Sequence, residues 1–220
     1  SNANPTTIDG RTTGIITLTG FDLSNGNGIT IQNSADINLN LQDSVAVTGG
    51  DFTIISIGDI NAATPSTTIV TGADINWSTT KDTIGAINFG NNDLTASNIT
   101  LTADGGSTAT IVNTTGKLGG PSGVQATITL TQGGALTIGA GGLDDIQATS
   151  FVDLVLLSTG DEIILGSPAG GGTFTWNSLD VEARGLNTGT NRGITVTNEQ
   201  ITDSGNIDLE ATAINAVIRL

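Results

Sequence analysis

Short segments with apolar residues at every second position recur along the chain. The clearest block runs from residue 29 to residue 56, and Asn, Ser, Asp and Gly fill the gaps between its segments. An apolar period of two is typical of a β-strand that buries one face. The segments of this block are residues 29–31, 37–41, 45–47 and 52–54. The pattern therefore predicts short strands joined by tight turns.

The same apolar positions return after three such segments, with Ile29 followed by Phe52, Ile75 and Ile99. A regular repeat of this kind is typical of solenoids, in which stacked coils supply each other's core. The sequence thus predicts an all-β fold, a right-handed parallel β-helix (β-solenoid) with about 23 residues and three short strands per coil. A β-sandwich is the alternative, since it has strands at similar spacing, but nothing in it requires every third strand to match.

Some segments depart from the repeat. Residues 115–123 and 166–172 are rich in Gly, Pro and Ser, and we expect both to be loops outside the coils. Residues 143–158 are unusually apolar, and Thr and Ser on either side favour a strand over 151–157. Residues 1–3 resemble the scar of a cleaved affinity tag. We expect residues 4–220 to form a single β-helix domain that is a fragment of a longer protein, because the chain lacks Met and stops inside an apolar run.

The composition argues against some classes of partner but does not identify the function. The 21 acidic and 6 basic residues give a formal charge of −15. Nucleic acids and anionic membrane surfaces need clustered Lys and Arg, so the charge argues against both as partners. No apolar run approaches the length of a membrane-spanning helix, which predicts no membrane insertion. The chain has no Cys, so disulfides say nothing about its compartment.

Two columns of acidic residues are the candidate metal ligands. An Asp precedes equivalent strands at the same step as the apolar repeat, which would place the carboxylates above one another. Stacked carboxylates repel unless a cation or a proton intervenes, and Ca²⁺ prefers oxygen ligands. The alternative is that each carboxylate accepts a hydrogen bond from the backbone of its own turn. The Ca²⁺ candidates are Asp36, Asp59 and Asp82 in one column and Asp51 and Asp74 in the other.

The two tryptophans have two possible roles. Trp77 lies two positions after Ile75, and Trp176 lies two positions after Phe174, so each shares the face of an apolar neighbour. Exposed, they could stack against sugars; buried, they would fill the core. We expect the core role.

Catalysis finds little support in the sequence. The chain contains no His, Cys or Tyr, which removes the commonest acid–base and thiol groups. Asp144 and Asp145 form the one adjacent acidic pair, but neighbours on a strand point to opposite faces. Arg184 and Arg192 flank one Gly/Asn-rich turn and are the only basic pairing that a uronate-binding site could use. We predict no catalytic residue and no cofactor.

Several short motifs resemble the repeats of filamentous-haemagglutinin-like proteins, the adhesins of two-partner secretion. They are residues 58–61 (GDIN), 97–101 (SNITL), 193–198 (GITVTN) and 205–212 (GNIDLEAT), and residues 25–29 (NGNGI) are similar to a motif of the family's secretion domain without its Pro. The resemblance implies a secreted right-handed β-helix used in adhesion.

These observations favour a non-enzymatic structural or adhesive segment of a large bacterial secreted or cell-surface protein. The expected partners are glycans or other surface proteins, together with neighbouring coils of the full-length protein. The alternative is a carbohydrate-active β-helix enzyme, a polysaccharide lyase or hydrolase. Such an enzyme needs a groove with converging charged groups, which the two loops would flank.

Overall fold

A computed structural model gives the fold of the chain. It describes residues 6–10, 13–19, 24–25, 27–40, 45–47, 49–62, 68–71, 73–80, 85–106, 108–139, 142–143, 146, 152–166, 174–187, 189–196 and 201–220. These residues form 23 β-strands. Among them there is no helix with the length and apolar character needed to cross a membrane.

One long sheet runs through the whole described structure. Nine strands lie side by side in it, each contributed by a different coil. Its strands are β1 (Thr6–Asp9), β4 (Ile29–Asn33), β7 (Phe52–Ser56), β10 (Asp74–Thr79), β13 (Asn98–Ala103), β16 (Ala126–Gln132), β18 (Val152–Ser158), β20 (Phe174–Ala183) and β22 (Ile201–Ala211).

Three shorter sheets complete the coils. The second sheet has five strands: β2 (Ile16–Thr19), β5 (Ile37–Asn40), β8 (Ile60–Asn61), β11 (Ala86–Gly90) and β14 (Thr110–Asn113). The third sheet also has five: β3 (Ser24–Asn25), β6 (Val45–Val47), β9 (Thr68–Thr71), β12 (Asp93–Thr95) and β15 (Leu118–Gly119). The fourth sheet has β17 (Leu136–Ile138), β19 (Ile163–Leu165), β21 (Arg192–Val196) and β23 (Val217–Arg219).

All pairs between these strands are parallel, which identifies a parallel β-solenoid. The register pairs Ile29 with Phe52, Phe52 with Ile75 and Ile75 with Ile99, as the repeat predicted. The predicted fold class is therefore confirmed. The β-sandwich alternative is wrong, because its sheets would be built from antiparallel strands.

The coil length is regular at first and then grows. The first five coils each supply a strand to the long, second and third sheets. Later, Ile99 pairs with Ile128 and Leu179 pairs with Ile207, so these coils are longer than the one that joins Ile29 to Phe52. The strands remain in register, because the extra residues lie in turns between them. In the sixth coil, Ile146 continues the third sheet by a parallel bridge to Leu118 of β15.

The predictions for the three irregular segments of the chain differ in how well they agree with the structure. Residues 118 and 119 belong to β15 and pair with β12, so the prediction that 115–123 is all loop was wrong. The connection to the next coil is shorter and includes a turn in which the Val124 N–H donates to the Pro121 carbonyl at 3.1 Å. The strand expected at 151–157 is confirmed as β18. Residues 167–172 lie outside the described part of the chain.

The core consists of inward-facing aliphatic columns. Between the first and last strands of the long sheet, one column has seven side chains that are each between 0 and 2% exposed, and full burial of such a side chain contributes about 1.5–3 kcal/mol. Its members are Ile29, Phe52, Ile75, Ile99, Ile128, Leu154 and Leu179. Stacking is thus the main source of stability, since one coil alone would leave these faces in water.

A column of buried polar residues lies at one corner of the coils, where the long sheet ends. Asn33, Ser56 and Thr79 stack in register there, and Gln132 and Ser158 continue the column higher up. Ser56 Oγ donates to the Ala35 carbonyl of the preceding coil at 2.8 Å. The same oxygen accepts the Gly58 N–H of its own turn at 3.0 Å. The column therefore connects consecutive turns and satisfies buried backbone groups.

Candidate functional site

The acidic columns form a hydrogen-bonded ladder between coils. Asp36 Oδ1 accepts the backbone N–H of Asp59 at 2.8 Å, and Asp59 Oδ1 accepts that of Ala86 at 3.0 Å. Asp93 accepts the N–H of Lys117 in the same way at 3.0 Å. The sequence alternative placed each hydrogen bond within the residue's own turn, whereas these three hydrogen bonds run between coils. The donor belongs to the next coil, because the stack brings its backbone directly over the carboxylate.

In the second acidic column, too, the donor to each carboxylate belongs to the next coil. Asp51 Oδ1 accepts the N–H of Asp74 at 3.3 Å, and Asp74 Oδ1 accepts Asn98 Nδ2 at 2.7 Å. Asp82 lies outside the described residues. Among the residues that are described, no three His, Cys, Asp or Glu side chains come together as a metal ion would need. Ca²⁺ binding by Asp36, Asp59, Asp82, Asp51 and Asp74 stays a prediction.

Both tryptophans pack inside the coils, as expected. Trp77 and Trp176 are each 1% exposed. The Trp77 ring meets the Phe52 ring edge to face, with centroids 5.7 Å apart and an interplanar angle of 87°. This is a preferred aromatic geometry. Neither side chain can therefore serve as a surface platform for a sugar ring.

Of the candidate charged groups for catalysis, the structure describes only Arg184 and Arg192. Asp144 and Asp145 lie outside the described residues. Arg184 binds Glu182 with both ends of its guanidinium, at 2.7 Å through Nε and 3.1 Å through Nη2. This contact lowers the pKa of Glu182 and raises the pKa of Arg184. Arg192 lies in β21, the fourth sheet, whereas Arg184 directly follows the long sheet.

The outer face of the long sheet, meaning its outward-pointing side chains, changes in character along the stack. One column begins with hydroxyl and amide groups and ends with carboxylates. Its members in order are Thr30, Thr53, Asn76, Thr100, Thr129, Val155, Asp180 and Asp208. The neighbouring column ends with Glu182 and Glu210. The face thus offers neutral hydrogen-bonding groups at one end and a negative field at the other.

Asp153 is the centre of a polar cluster that sequence reasoning missed. Its Oδ1 accepts hydrogen bonds from Asn177 Nδ2 and Ser178 Oγ, and its Oδ2 accepts one from Gln125 Nε2, all at 2.6 Å. Burial raises the pKa of Asp153, but these three hydrogen bonds outweigh burial and leave the pKa below its usual value. Only the Asp153–Ser178 pairing follows from strand register. Gln125 lies in the connection that precedes β16, and Asn177 lies at a bulge in β20, so the repeat predicts neither donor.

A seam separates the second sheet from the fourth. The second sheet ends at β14 and the fourth begins at β17, and a cavity of about 250 Å³ lies between these strands. Gln132 spans the seam: its Oε1 accepts the Ile111 N–H at 2.9 Å and its Nε2 donates to the Ala135 carbonyl at 2.5 Å. The described residues that line the cavity carry no charge. It therefore lacks, in that lining, the paired carboxylates that glycoside hydrolysis uses.

No family model, curated protein or solved structure matches the chain.

Proposed function

We propose that the chain is a non-enzymatic segment of a large bacterial secreted or cell-surface protein of the filamentous-haemagglutinin type. In this role the solenoid supplies length, and the outer face of the long sheet supplies the contact surface for glycans. The nine-stranded sheet carries the proposal, because its outer face extends over nine strands and is mostly polar, with Ile55, Val155 and Leu157 as its apolar positions.

The chemistry of the face supports glycans as the ligand class. The outward positions of β13 and β16 carry Thr100 and Thr102 beside Thr129 and Thr131. These four side chains are half-buried, and the β-branched side chain of Thr has restricted χ1 freedom. Hydroxyl groups that both donate and accept suit the hydroxyl groups of a sugar. The negative charge of the chain favours neutral glycans over anionic ones.

A glycan array tests the proposal when it is read with a pair of variants. We expect the chain to bind neutral glycans and T129A/T131A to bind them at least tenfold more weakly. The matched control is T17A/T19A, which removes two outward Thr from the second sheet and should leave binding unchanged. Equal loss in both variants, or no binding at all, would contradict a glycan contact on the long sheet.

A depolymerisation assay separates this proposal from the enzyme alternative. The chain is incubated with neutral and uronate-containing polysaccharides, and reducing ends and unsaturated uronates are followed over time. We expect neither product to accumulate above the level of a heat-denatured control. Turnover of either polymer would favour a β-helix hydrolase or lyase.

A further inference from the structure

The outer face of the long sheet presents its side chains at a fixed spacing along the solenoid axis. Strands β4, β7, β10, β13 and β16 pair one with the next without a shift of register. Each outward column therefore runs straight across these strands, with one side chain per coil. Because neighbouring strands lie about 4.8 Å apart, a column repeats its side chains at that distance.

Two such columns run side by side and form what we call the polar strip, the outward residues of these five strands. The columns are about 7 Å apart, since two residues along a strand rise by that distance. Nine of the ten side chains are half-buried, and none of the ten is charged. One column carries Thr30, Thr53, Asn76, Thr100 and Thr129, and the other carries Gln32, Ile55, Ser78, Thr102 and Thr131.

The chemistry of the outer face changes on both sides of the polar strip. On one side, β18 places the apolar Val155 and Leu157 in the two columns, and Asp180 and Glu182 of β20 follow. On the other side, β1 places Asp9 beside Gln32. The neutral hydrogen-bonding surface thus covers five coils, or about 19 Å from its first strand to its last.

We infer that the polar strip binds a neutral, extended, β-linked polysaccharide of the cellulose type, which lies along the solenoid axis with about one sugar per coil. The inference rests on the proposed glycan surface and adds the shape and direction of its ligand. A chain laid along a strand would soon leave the sheet, because the strands of the strip have only five to seven residues.

The repeat of the ligand matches the repeat of the protein. An extended β-linked chain advances per pyranose ring by a distance close to the spacing of the coils, so successive rings meet equivalent groups. Hydroxyl and amide side chains donate and accept, as sugar hydroxyls do. Ile55 is 44% exposed and offers an apolar contact to the C–H groups of a ring. Once one ring is bound, the next ring binds in an intramolecular step, so the contributions of the strands combine.

Calorimetric titration with cello-oligosaccharides of two to six sugars tests the inference. We expect the association constant to rise about two- to tenfold for each added sugar up to about five, the range for one net hydrogen bond. Malto-oligosaccharides of the same lengths are the ligand control, because they contain the same sugar in a curved chain and should gain little with length.

Three results would contradict the inference. Equal affinity for the two-sugar and six-sugar ligands, or equal gains in the two series, would overturn the axial arrangement. If neutral glycans of the array still bind in either case, the proposed glycan surface stands. Absence of binding to every glycan would overturn both the arrangement and the surface.

A variant of the middle strand tests the direction of the ligand. N76V/S78V makes the outward side of β10 apolar, as it is in β18, and Val suits a strand. We expect the six-sugar ligand to bind at least tenfold more weakly. The two-sugar ligand should lose little, because two intact strands remain on either side of β10.

The matched control is T17V/T19V, which changes two outward Thr of the second sheet and should leave both affinities unchanged. Circular dichroism checks that each variant is folded. A folded N76V/S78V that binds the six-sugar ligand as tightly as the natural chain would overturn the inference.

Discussion

At the scale of single residues, Gly58 leaves the space that Asp36 of the preceding coil occupies. A Cβ added to Gly58 would lie 2.2 Å from Asp36 Oδ1 and 2.4 Å from the Asp36 backbone N. The Asp36 carboxylate needs this space to reach the N–H of Asp59. A side chain at residue 58 would therefore disturb both the ladder and the close approach of the two turns.

We expect G58A to lower the free energy of unfolding by about 1–3 kcal/mol, the usual cost of overpacking. Urea denaturation followed by circular dichroism measures the change. G189A is the matched control, because an added Cβ there would have only Asn187 Oδ1 within 4 Å, at 3.4 Å. A stability loss in G58A no larger than in G189A would contradict the close packing of these turns.

Asp153 is the residue for which the structure predicts a pH effect. Its folded pKa is lowered, so the carboxylate form stabilises the fold above the unfolded pKa of about 3.9. That contribution is lost as the pH falls through the lower folded pKa.

We expect D153N to be about 1 kcal/mol less stable than the natural chain at pH 7, because an amide cannot accept all three hydrogen bonds. The difference should shrink as the pH falls below about 4, where Asp153 of the unfolded chain takes up a proton first, and should vanish below the lower folded pKa. Urea denaturation at a series of pH values measures this. A difference that stays constant down to pH 2.5 would show that the carboxylate charge does not contribute.

At the scale of elements, the seam is where the regular coil is interrupted. β14 and β17 do not pair, and Gln132 takes over part of the role of a neighbouring strand for the Ile111 N–H. The glutamine is 2% exposed, so water cannot easily replace its hydrogen bonds.

We expect Q132L to reduce stability by about 1–3 kcal/mol, because it leaves a buried N–H and a carbonyl without their partner. Hydrogen exchange should show faster exchange of the Ile111 amide, with β7 and β10 little affected. Q32L is the control, since Gln32 lies on the outward side of the same sheet. It should change stability by less than about 0.5 kcal/mol. Unchanged exchange at Ile111 would show that Gln132 is not required at the seam.

Strand order and register could be predicted from the sequence, whereas contacts across turns could not. Ile29, Phe52 and Ile75 must stack if each is to be buried, so a hydrophobic period is enough to define the coil. The donor to Asp36 depends on how far the next turn reaches, and no periodicity encodes that distance. Leu118 was assigned to a loop because its neighbours are Gly and Pro, although it lies one full repeat after its partner Leu94.

At the scale of the whole molecule, the long sheet stays continuous through changes in coil length at which the second and third sheets end. Its nine strands stay in parallel register although the step from Ile99 to Ile128 is longer than the step from Ile29 to Phe52. The second and third sheets end at the coil where this longer step occurs. The inner aliphatic columns of the long sheet therefore hold the rod together, and the other sheets adapt to the connecting turns.

The connection between β15 and β16 has a practical consequence. It lies between Gly119 and Ala126, strands on either side of it keep their register, and Val124 is 47% exposed. A foreign peptide inserted into this connection would project from the side of the solenoid at a fixed coil. The solenoid could therefore display an epitope at a defined position along its axis.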